Sequence, residues 1–538
     1  MSSADPSRVT ASESGEDASF LSPFRHPAFA VLWSATLVSN VGTWMQSAAA
    51  GWFMTNLDAR PFIVSLVQVA ASLPMFVFAI PAGALGDIFD RRKIIIVVQC
   101  LLTVLIVGFV VLIQLSFVTA QLLLAFMFLA ASAAAVVMPV WQSIVPQLVP
   151  KTLLQPAVAL NSVGVNVSRA VGPSLAGIII AAWGMAAAFW LNALSNIAVI
   201  AALVWWKPQE ANTRSNAPAE RLFLAIGAGL RYARHNPHLR ATQIWALGFF
   251  VFASAYWALL PLVARDQVSG GPALYGFLLG AIGIGAVSGA GALPFLQQLL
   301  GADRTVSAGA MGTSIALLLF AVARRPATAG AASLVAGFSW IMVLSTLNVS
   351  AQVALPSWVR SRGLSIYNTV MFGSMTLGSA IWGKIASSVG LQTAHLIAAL
   401  GLIAAVPLLQ RWKLQTGAVL DLTPSEHWPT PAATNLAIDR GPVLVTVEYQ
   451  IARDDRENFL SAIRHLAGER RRDGAFEWRI FEDVSNGGRF VEIFMLMSWA
   501  EHLRQHERVT NADQKMQELV NRFQVQGLPK VTHLVATD

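Results

Sequence analysis

The sequence predicts an all-α polytopic membrane protein, with twelve transmembrane helices in two six-helix bundles, followed by a C-terminal α+β soluble domain. Three observations predict it. Of the 538 residues 55% are hydrophobic and 12% charged, with a mean hydropathy of +0.57, a balance outside that of ordinary soluble domains. The apolar residues form unbroken runs: Phe62 to Leu85 and Ile94 to Ala120 hold no charge, and each exceeds the roughly 20 residues that cross ~30 Å of hydrocarbon. After residue 440 the composition turns charged and strand-like. The formal charge is +8, but the basic residues scatter over many loops without an aromatic-interleaved stripe, which argues against nucleic acid as a partner. The lipid bilayer is the partner the composition names.

Residues 1–27, rich in Ser, Asp and Glu, lack the basic segment and cleavage site of a secretory signal and read as a disordered cytoplasmic tail. Spans follow at 28–56, 62–85, 94–117, 121–144, 156–182 and 185–206, an N-terminal bundle over 28–206. The interruption at 207–240 places Leu222, Ile226, Leu230 and Ala233 at helical spacing, with Arg221, Arg231 and Arg234 elsewhere on the helix, as in an amphipathic helix lying on the membrane face. Six more spans, at 241–264, 273–300, 305–323, 327–353, 361–388 and 391–412, make a C-terminal bundle over 241–413. An even count returns both termini to one side. Loops on that side hold Arg91, Arg92, Lys93, Lys151, Lys207, Arg214, Arg221, Arg231, Arg234, Arg240, Arg304, Arg360 and Arg362; the opposite loops hold Arg60, Arg265, Arg324 and Arg325. The positive-inside rule therefore predicts a multi-pass protein of the cytoplasmic membrane with both termini in the cytoplasm. The lone Cys100 lies within a span, forms no intrachain disulfide and reads as lipid-facing or packed.

The turn Gly83-Ala-Leu85-Gly86-Asp87-Ile88-Phe-Asp90-Arg91-Arg92-Lys93 joins the second and third spans. Glycine at 83 and 86 permits close helix approach, Asp87 can cap or pair at a helix end, and the three basic residues hold the loop in the cytoplasm. The turn resembles the loop between helices 2 and 3 of the major facilitator superfamily, G-x-L-x-D-R-x-G-R-R. Gly83, Leu85, Asp87, Arg91 and Arg92 match, whereas Ile88 replaces the usual Arg and Asp90 the usual Gly. The resemblance implies alternating access and nominates Gly83, Asp87, Arg91 and Arg92 as a charge-linked gate; the alternative is that these charges set topology alone. In the fifth span, Arg169-Ala-Val-Gly172-Pro173-Ser-Leu-Ala-Gly177 resembles the glycine-proline motif of exporters in that superfamily. Proline bends the helix and Gly172 and Gly177 admit a close neighbour, giving either a hinge or an ordinary packing kink. Arg169, a cation inside a span, either faces the bundle interior or snorkels to the cytoplasmic end.

No span holds an Asp or Glu well inside its apolar stretch, so proton coupling stays open between Asp87, Asp58, Asp266 and His395, the substrate's own charge, and uncoupled transport. Polar residues within the spans are candidates for the substrate pathway: Asn40, Gln46, Gln68, Asn161, Asn166, Asn192, Asn196, Gln243, Tyr256, Asn348, Gln352 and Asn368, with Trp44, Trp52, Trp257 and Trp382 as stacking surfaces. Each such residue is equally suited to gluing helices together or anchoring at an interface. Gly289-Ala-Gly291-Ala-Leu-Pro294 leading to Gly301-Ala-Asp303-Arg304 stands where an internal repeat expects a diverged copy of the 83–93 turn. Val359-Arg360-Ser-Arg362-Gly363-Leu-Ser-Ile-Tyr-Asn368, with Gly373, Gly378 and Trp382-Gly383, resembles the subgroup related to the enterobactin exporter and described as transmembrane secretion effectors. That resemblance implies export of a small organic molecule such as a siderophore, drug or secondary metabolite, with import as the alternative.

Residues 414–440, with Pro424, Pro429 and Pro431, read as a linker. Beyond it, over 441–538, the pattern is β-α-β-β-α-β: a strand at 443–451, a helix at 456–469, strands at 476–482 and 489–498 joined through Asn486-Gly487-Gly488, helices at 499–509 and 512–523, and a strand at 531–535. This is a ferredoxin-like order, and Trp499-Ala-Glu-His502-Leu-Arg-Gln-His506 resembles the dimeric α/β-barrel domains related to antibiotic-biosynthesis monooxygenases. The resemblance implies a homodimer through 441–538, with a catalytic or ligand-sensing module as the rival. His465, His502 and His506 offer no third ligand at an informative spacing and read as a solvated helix face. No catalytic residue, cofactor or metal is expected.

Overall fold

The computed structural model describes residues 21–88, 90–207, 222–356, 358–414, 421–425 and 440–537, with the side chains of 79–88, 143, 151, 222–226 and 228 outside the description. The expected tail before residue 21, most of the 414–440 linker, and the side chains of Leu222 and Ile226 lie outside the described residues.

Long apolar helices dominate: α1 Pro27–Leu57, α2 Pro61–Ile88, α3 Arg91–Gln114, α4 Ala120–Ile144, α5 Leu154–Trp183, α6 Met185–Trp205, then a short α7 Leu222–His235, and α8 Pro237–Leu262, α9 Pro272–Val322, α10 Pro326–Val353, α11 Arg360–Val389 and α12 Leu391–Leu409. Among the described residues, ten are long and apolar enough to cross a membrane. The difference from twelve has two physical sources. The expected spans 273–300 and 305–323 form one 51-residue element, α9, broken only at Gly301, whose φ of 75° and ψ of 170° no helix contains. The other is α11, whose glycines and serines lower its apolarity although its 30 residues span the same length.

The ends are set locally. Five helices open on proline, at 27, 61, 237, 272 and 326, where its missing N–H is no loss. Asp90, which departs from the superfamily pattern, caps α3 by accepting from the Lys93 backbone N–H at 3.1 Å. Arg92 donates to the Leu203 and Val204 carbonyls at 2.7 and 2.8 Å, tying the start of α3 to the last turn of α6. In the second half Asp303, just past the α9 break, accepts from the Leu414 backbone N–H at 2.8 Å beyond α12.

The C-terminal domain contains β1 Val443–Gln450, α13 Arg456–Arg472, β2 Glu477–Glu482, β3 Arg489–Leu496, α14 Trp499–Arg508, α15 Asn511–Asn521 and β4 Lys530–Val535. Its sheet is antiparallel in the order β2-β3-β1-β4. Alternation puts Val443, Val445, Val447 and Tyr449 against the helices, where they pack with Phe459, Ile463, Phe490 and Phe494. Glu492 lies fully buried in that core and accepts from Arg470 Nε at 3.2 Å, Trp478 Nε1 at 2.9 Å and the Tyr449 hydroxyl at 3.0 Å. A buried carboxylate survives because three donors replace its hydration.

Docking of the domain runs through α7. Arg231 donates to Glu501 of α14 at 3.0 Å, Arg472 stacks 5.5 Å over Tyr232, and Arg508 stacks 4.5 Å over Trp358, just before α11. Tyr232 in turn donates to the Ala354 carbonyl at 3.1 Å. The expected apolar face of α7 is corrected at one position: Tyr232 and Ala233 are buried, whereas Leu230 is 60% exposed.

Burial, with Asp513 alongside, pushes the Glu469 carboxyl up to about 8 from its ordinary 4.5. A carboxyl with a raised folded-state value contributes full stability below pH 4.5 and loses it as pH climbs toward 8. Glu469→Gln should therefore stabilise the domain by about 2–4 kcal/mol at pH 8.5 and leave it unchanged at pH 4.5. Hydrogen-exchange protection of β1 and β3 amides in variant and wild type at matched pH measures this.

Candidate substrate pathway between the helical bundles

Where the two bundles touch, small residues replace side-chain packing. A Cβ at Gly177 of α5 would lie 2.8 Å from both the Gly276 Cα and the Pro272 carbonyl of α9, and a Cβ at Gly283 would lie 2.5 Å from the Ala170 Cα. A second seam joins α2 to α11: Ser72 and Thr376 share a hydrogen bond of 2.8 Å, and the Phe62 backbone N–H donates to Ser387 Oγ at 2.9 Å. All these contacts fall in the half of the molecule remote from α7, hereafter the distal half. Other faces of α5 and α9 pack within their own bundles. Ser168 donates to the Leu37 carbonyl of α1 at 3.3 Å, Trp33 of α1 to the Leu160 carbonyl of α5 at 3.1 Å, and Gly289 of α9 lies against Phe338 of α10.

Arg169 stands midway along α5, not at a helix end where it would snorkel. Its guanidinium lies 5.1 Å over the Trp44 ring of α1, and its Nε is buried without a hydrogen bond. The Tyr256 hydroxyl of α8 is near enough to act on it electrostatically, and that hydroxyl is buried and unpartnered too. Around Tyr256 the rings gather: Trp257 at 5.6 Å, Phe320 at 6.1 Å and Trp340 at 6.4 Å, with Trp257 and Trp340 edge-on at 5.5 Å. The indole N–H groups of Trp257 and Trp340 and the Gln243 amide nitrogen are likewise buried without a hydrogen bond. Each such donor costs ~1–3 kcal/mol unless something binds it. The ring-bearing donors and Arg169 lie together, whereas Gln243, thirteen residues before Tyr256 on α8, stands about 20 Å from them along the helix.

The other candidates divide. Gln46 and Asn192 are buried and bonded to each other at 2.7 Å, and Asn196 accepts from Ser39 at 2.9 Å, so these amides hold α1 to α6. Asn161 accepts from Trp141 at 3.3 Å, while Asn166 is exposed and donates to its own helix at Ser162. Half-buried Asn40, Gln68, Asn348 and Asn368 stand on α1, α2, α10 and α11, and Gln352 is exposed. Trp52 stacks on Tyr275 at 6.0 Å in the distal half, and Trp382 donates to the Val251 carbonyl at 2.7 Å, a packing role. Gly172 lies against α1, where a Cβ would sit 2.7 Å from the Val41 carbonyl. Pro173 stands inside α5 one residue on. Of the nominated gate, Arg91 is half-buried, Arg92 is engaged at the end of α6, and the side chains of Gly83 and Asp87 lie outside the described residues. Trp340 and Phe320 were missed because apolar spans give no signal of which aromatic faces inward. A cleft of about 600 Å³ between α2, α8 and α11, lined by Leu73, Phe76, Leu247 and Leu377, is almost wholly apolar and separate from this cluster.

A family model described as Transmembrane secretion effector matches residues 18–538. The chain belongs to this family of major facilitator transporters. The transporter is 22% identical over 277 residues to the staphyloferrin A transporter of Staphylococcus aureus (strain NCTC 8325), covering 50% of this chain and 67% of that protein. It is 23% identical over 389 residues to the multidrug efflux pump Tap of Mycolicibacterium fortuitum, covering 70% and 94%. With the enterobactin exporter EntS of Salmonella choleraesuis the figures are 23% over 384 residues, covering 70% and 90%. Among solved structures, the nucleoside transporter NupG superposes with a TM-score of 0.59 at 11% identity over 72% of this chain and 99% of that one. A bacterial homologue of the human lysosomal transporter Spinster, inward-facing and unoccupied, gives 0.54 at 13% over 72% and 97%. The fold of this major facilitator transporter is thus shared with them, and its family and relatives are transporters rather than enzymes.

Gly177→Leu should prevent the distal seam of the transporter from closing, since its side chain has only Gly276 backbone to displace. In a Cys100→Ser background, Ser174→Cys should then be labelled by a membrane-impermeant thiol reagent at least about tenfold faster than in the parent, with unchanged membrane insertion.

Proposed function

We propose that this transporter exports a small organic molecule from the cytoplasm by alternating access. The observation that carries the reading is the set of buried donors without hydrogen bonds, Arg169, Tyr256, Trp257 and Trp340, gathered around the rings at Tyr256. A guanidinium, a phenol and two indole N–H groups among aromatic faces suit a guest with carboxylate or phenolic acceptors on an apolar or aromatic body. Siderophores, drugs and secondary metabolites have that chemistry, and the names of the relatives agree.

On this reading α9 is two spans meeting at Gly301 and α11 is a full span, making twelve in two bundles over 28–206 and 241–413. Loop charge then sets both termini in the cytoplasm. Rocking of the bundles closes the α7 end around the 83–93 turn, where Gly83, Asp87, Arg91 and Arg92 form the gate, while Pro173 lets α5 bend. Protons couple through Asp87, because no carboxylate lies deep in a span. The sheet order β2-β3-β1-β4 supports a ferredoxin-like domain related to the monooxygenase-like barrels. Its open sheet face, carrying Leu444, Ile493, Met495, Phe481 and Leu534, favours pairing with a second copy over a catalytic role.

Cells bearing the protein should accumulate less of at least one compound from a panel of siderophores and lipophilic drugs, and collapse of the proton gradient should abolish the difference. Unchanged retention of the whole panel would overturn the export reading. Arg169→Ala should weaken apparent substrate affinity about 10–100-fold, the loss expected for one charged hydrogen-bond donor. Asp87→Asn should slow efflux while leaving membrane insertion intact; full activity would reduce the turn to a topology signal.

A further inference from the structure

The reading of His502 and His506 as a solvated helix face does not survive the fold. His502 is 1% exposed in the first turn of α14, and His506 follows one turn later on the same side. A third imidazole arrives from a distant part of the chain: His533 of β4 pairs with Val445 of β1, so it points to the helix-covered face of the sheet. The His502 ring centroid lies 4.8 Å from that of His506 and 4.6 Å from that of His533, and a nitrogen from each of the three lies within 4.8 Å of the others.

We propose that His502, His506 and His533 form a binding site for a divalent transition metal, Zn²⁺ in first place, within the C-terminal domain.

Packing alone does not account for the cluster. Neither nitrogen of His502 has a well-formed hydrogen bond, although both are buried, and the side chain within polar reach, the buried carboxamide of Gln505, meets it without good geometry. A phenylalanine there would pack on Trp499, 5.0 Å away, without the ~1–3 kcal/mol that each unbonded polar atom costs. The ring nitrogens of the three imidazoles face one another, and the lone pair of a neutral imidazole is what a transition metal takes. Three imidazoles select zinc, copper, nickel or cobalt over magnesium or calcium, which require oxygen ligands. At Zn–N distances near ~2.1 Å a tetrahedral ion needs its nitrogens ~3.3 Å apart. Rotation of half-buried His506 and exposed His533 toward fixed His502 closes that difference, and the fourth position opens to solvent on their side. The metal would clamp α14 to β4. Its neighbour Glu501 holds Arg231 of α7, so the clamped helix is the one that docks the domain on the membrane part.

The test uses the tag-free full-length protein in detergent, titrated with ZnCl₂ against a chromophoric chelator and separately with CoCl₂. Wild type should bind one Zn²⁺ per chain and develop the visible absorption of tetrahedral Co²⁺. His506→Gln and His533→Gln, on separate elements and neither in the core, should each lose at least the 10–100-fold in affinity that even an outer-shell partner commands, together with the Co²⁺ spectrum. The exposed His465→Gln serves as the control and should match wild type. Absence of one-equivalent binding in wild type, or wild-type binding retained in both variants, would overturn the site, whatever the outcome of the export assays.

Discussion

Close approach of glycine-bearing helix faces is the constraint on which the rest of the molecule depends. Within a membrane there is no hydrophobic drive to bring two helices together, because lipid is as apolar as leucine. Contact between the bundles therefore rests on shape, and Gly177 against Gly276 and Ala170 against Gly283 let the backbones of α5 and α9 meet. Across the molecule α2 and α11 meet through Ser72 and Thr376. Both seams lie in the same half of the molecule.

Polar groups in the spans sort by whether the fold gives them a partner. Gln46, Asn192, Asn196 and Ser39 satisfy one another between α1 and α6, and removing any of them from water is repaid locally. Arg169, Tyr256, Trp257 and Trp340 are the contrary case, buried with donors unmet at the boundary between bundles. The same residue chemistry is satisfied as glue in one place and left without hydrogen bonds in the other. Partnership, not polarity, distinguishes the two.

The ends of the bundles show how the helical part is tied off. Arg92 holds the start of α3 to the last carbonyls of α6, and Asp303 holds the point after the α9 break to the backbone beyond α12. One tie uses a cation on carbonyls and the other an anion on an N–H. The domain is joined by a different chemistry, guanidinium groups stacked on Tyr232 and Trp358 with one ion pair at Glu501. These groups are buried, Arg508 to 5% and Tyr232 to 1% exposure, so the docking cations are held by rings and carboxylates in place of water.

Helix positions and the strand and helix order of 441–538 were legible in the chain itself, because each is written in local periodicity, in charge-free runs and in proline or glycine punctuation. Membership of the transporter class was legible in the 83–93 turn for the same reason: its residues are contiguous. What only the tertiary structure decided is which faces meet. The engagement of Arg92 with α6, the stacking of Arg169 on Trp44, the aromatic cluster around Tyr256 and the arrival of His533 beside His502 all join residues far apart in sequence. An all-apolar helix carries no stripe that marks its inward side, and a histidine pair one turn apart is silent about a third ring on a strand. Those facts arise when close-packed elements fix side chains in register, which no local pattern encodes.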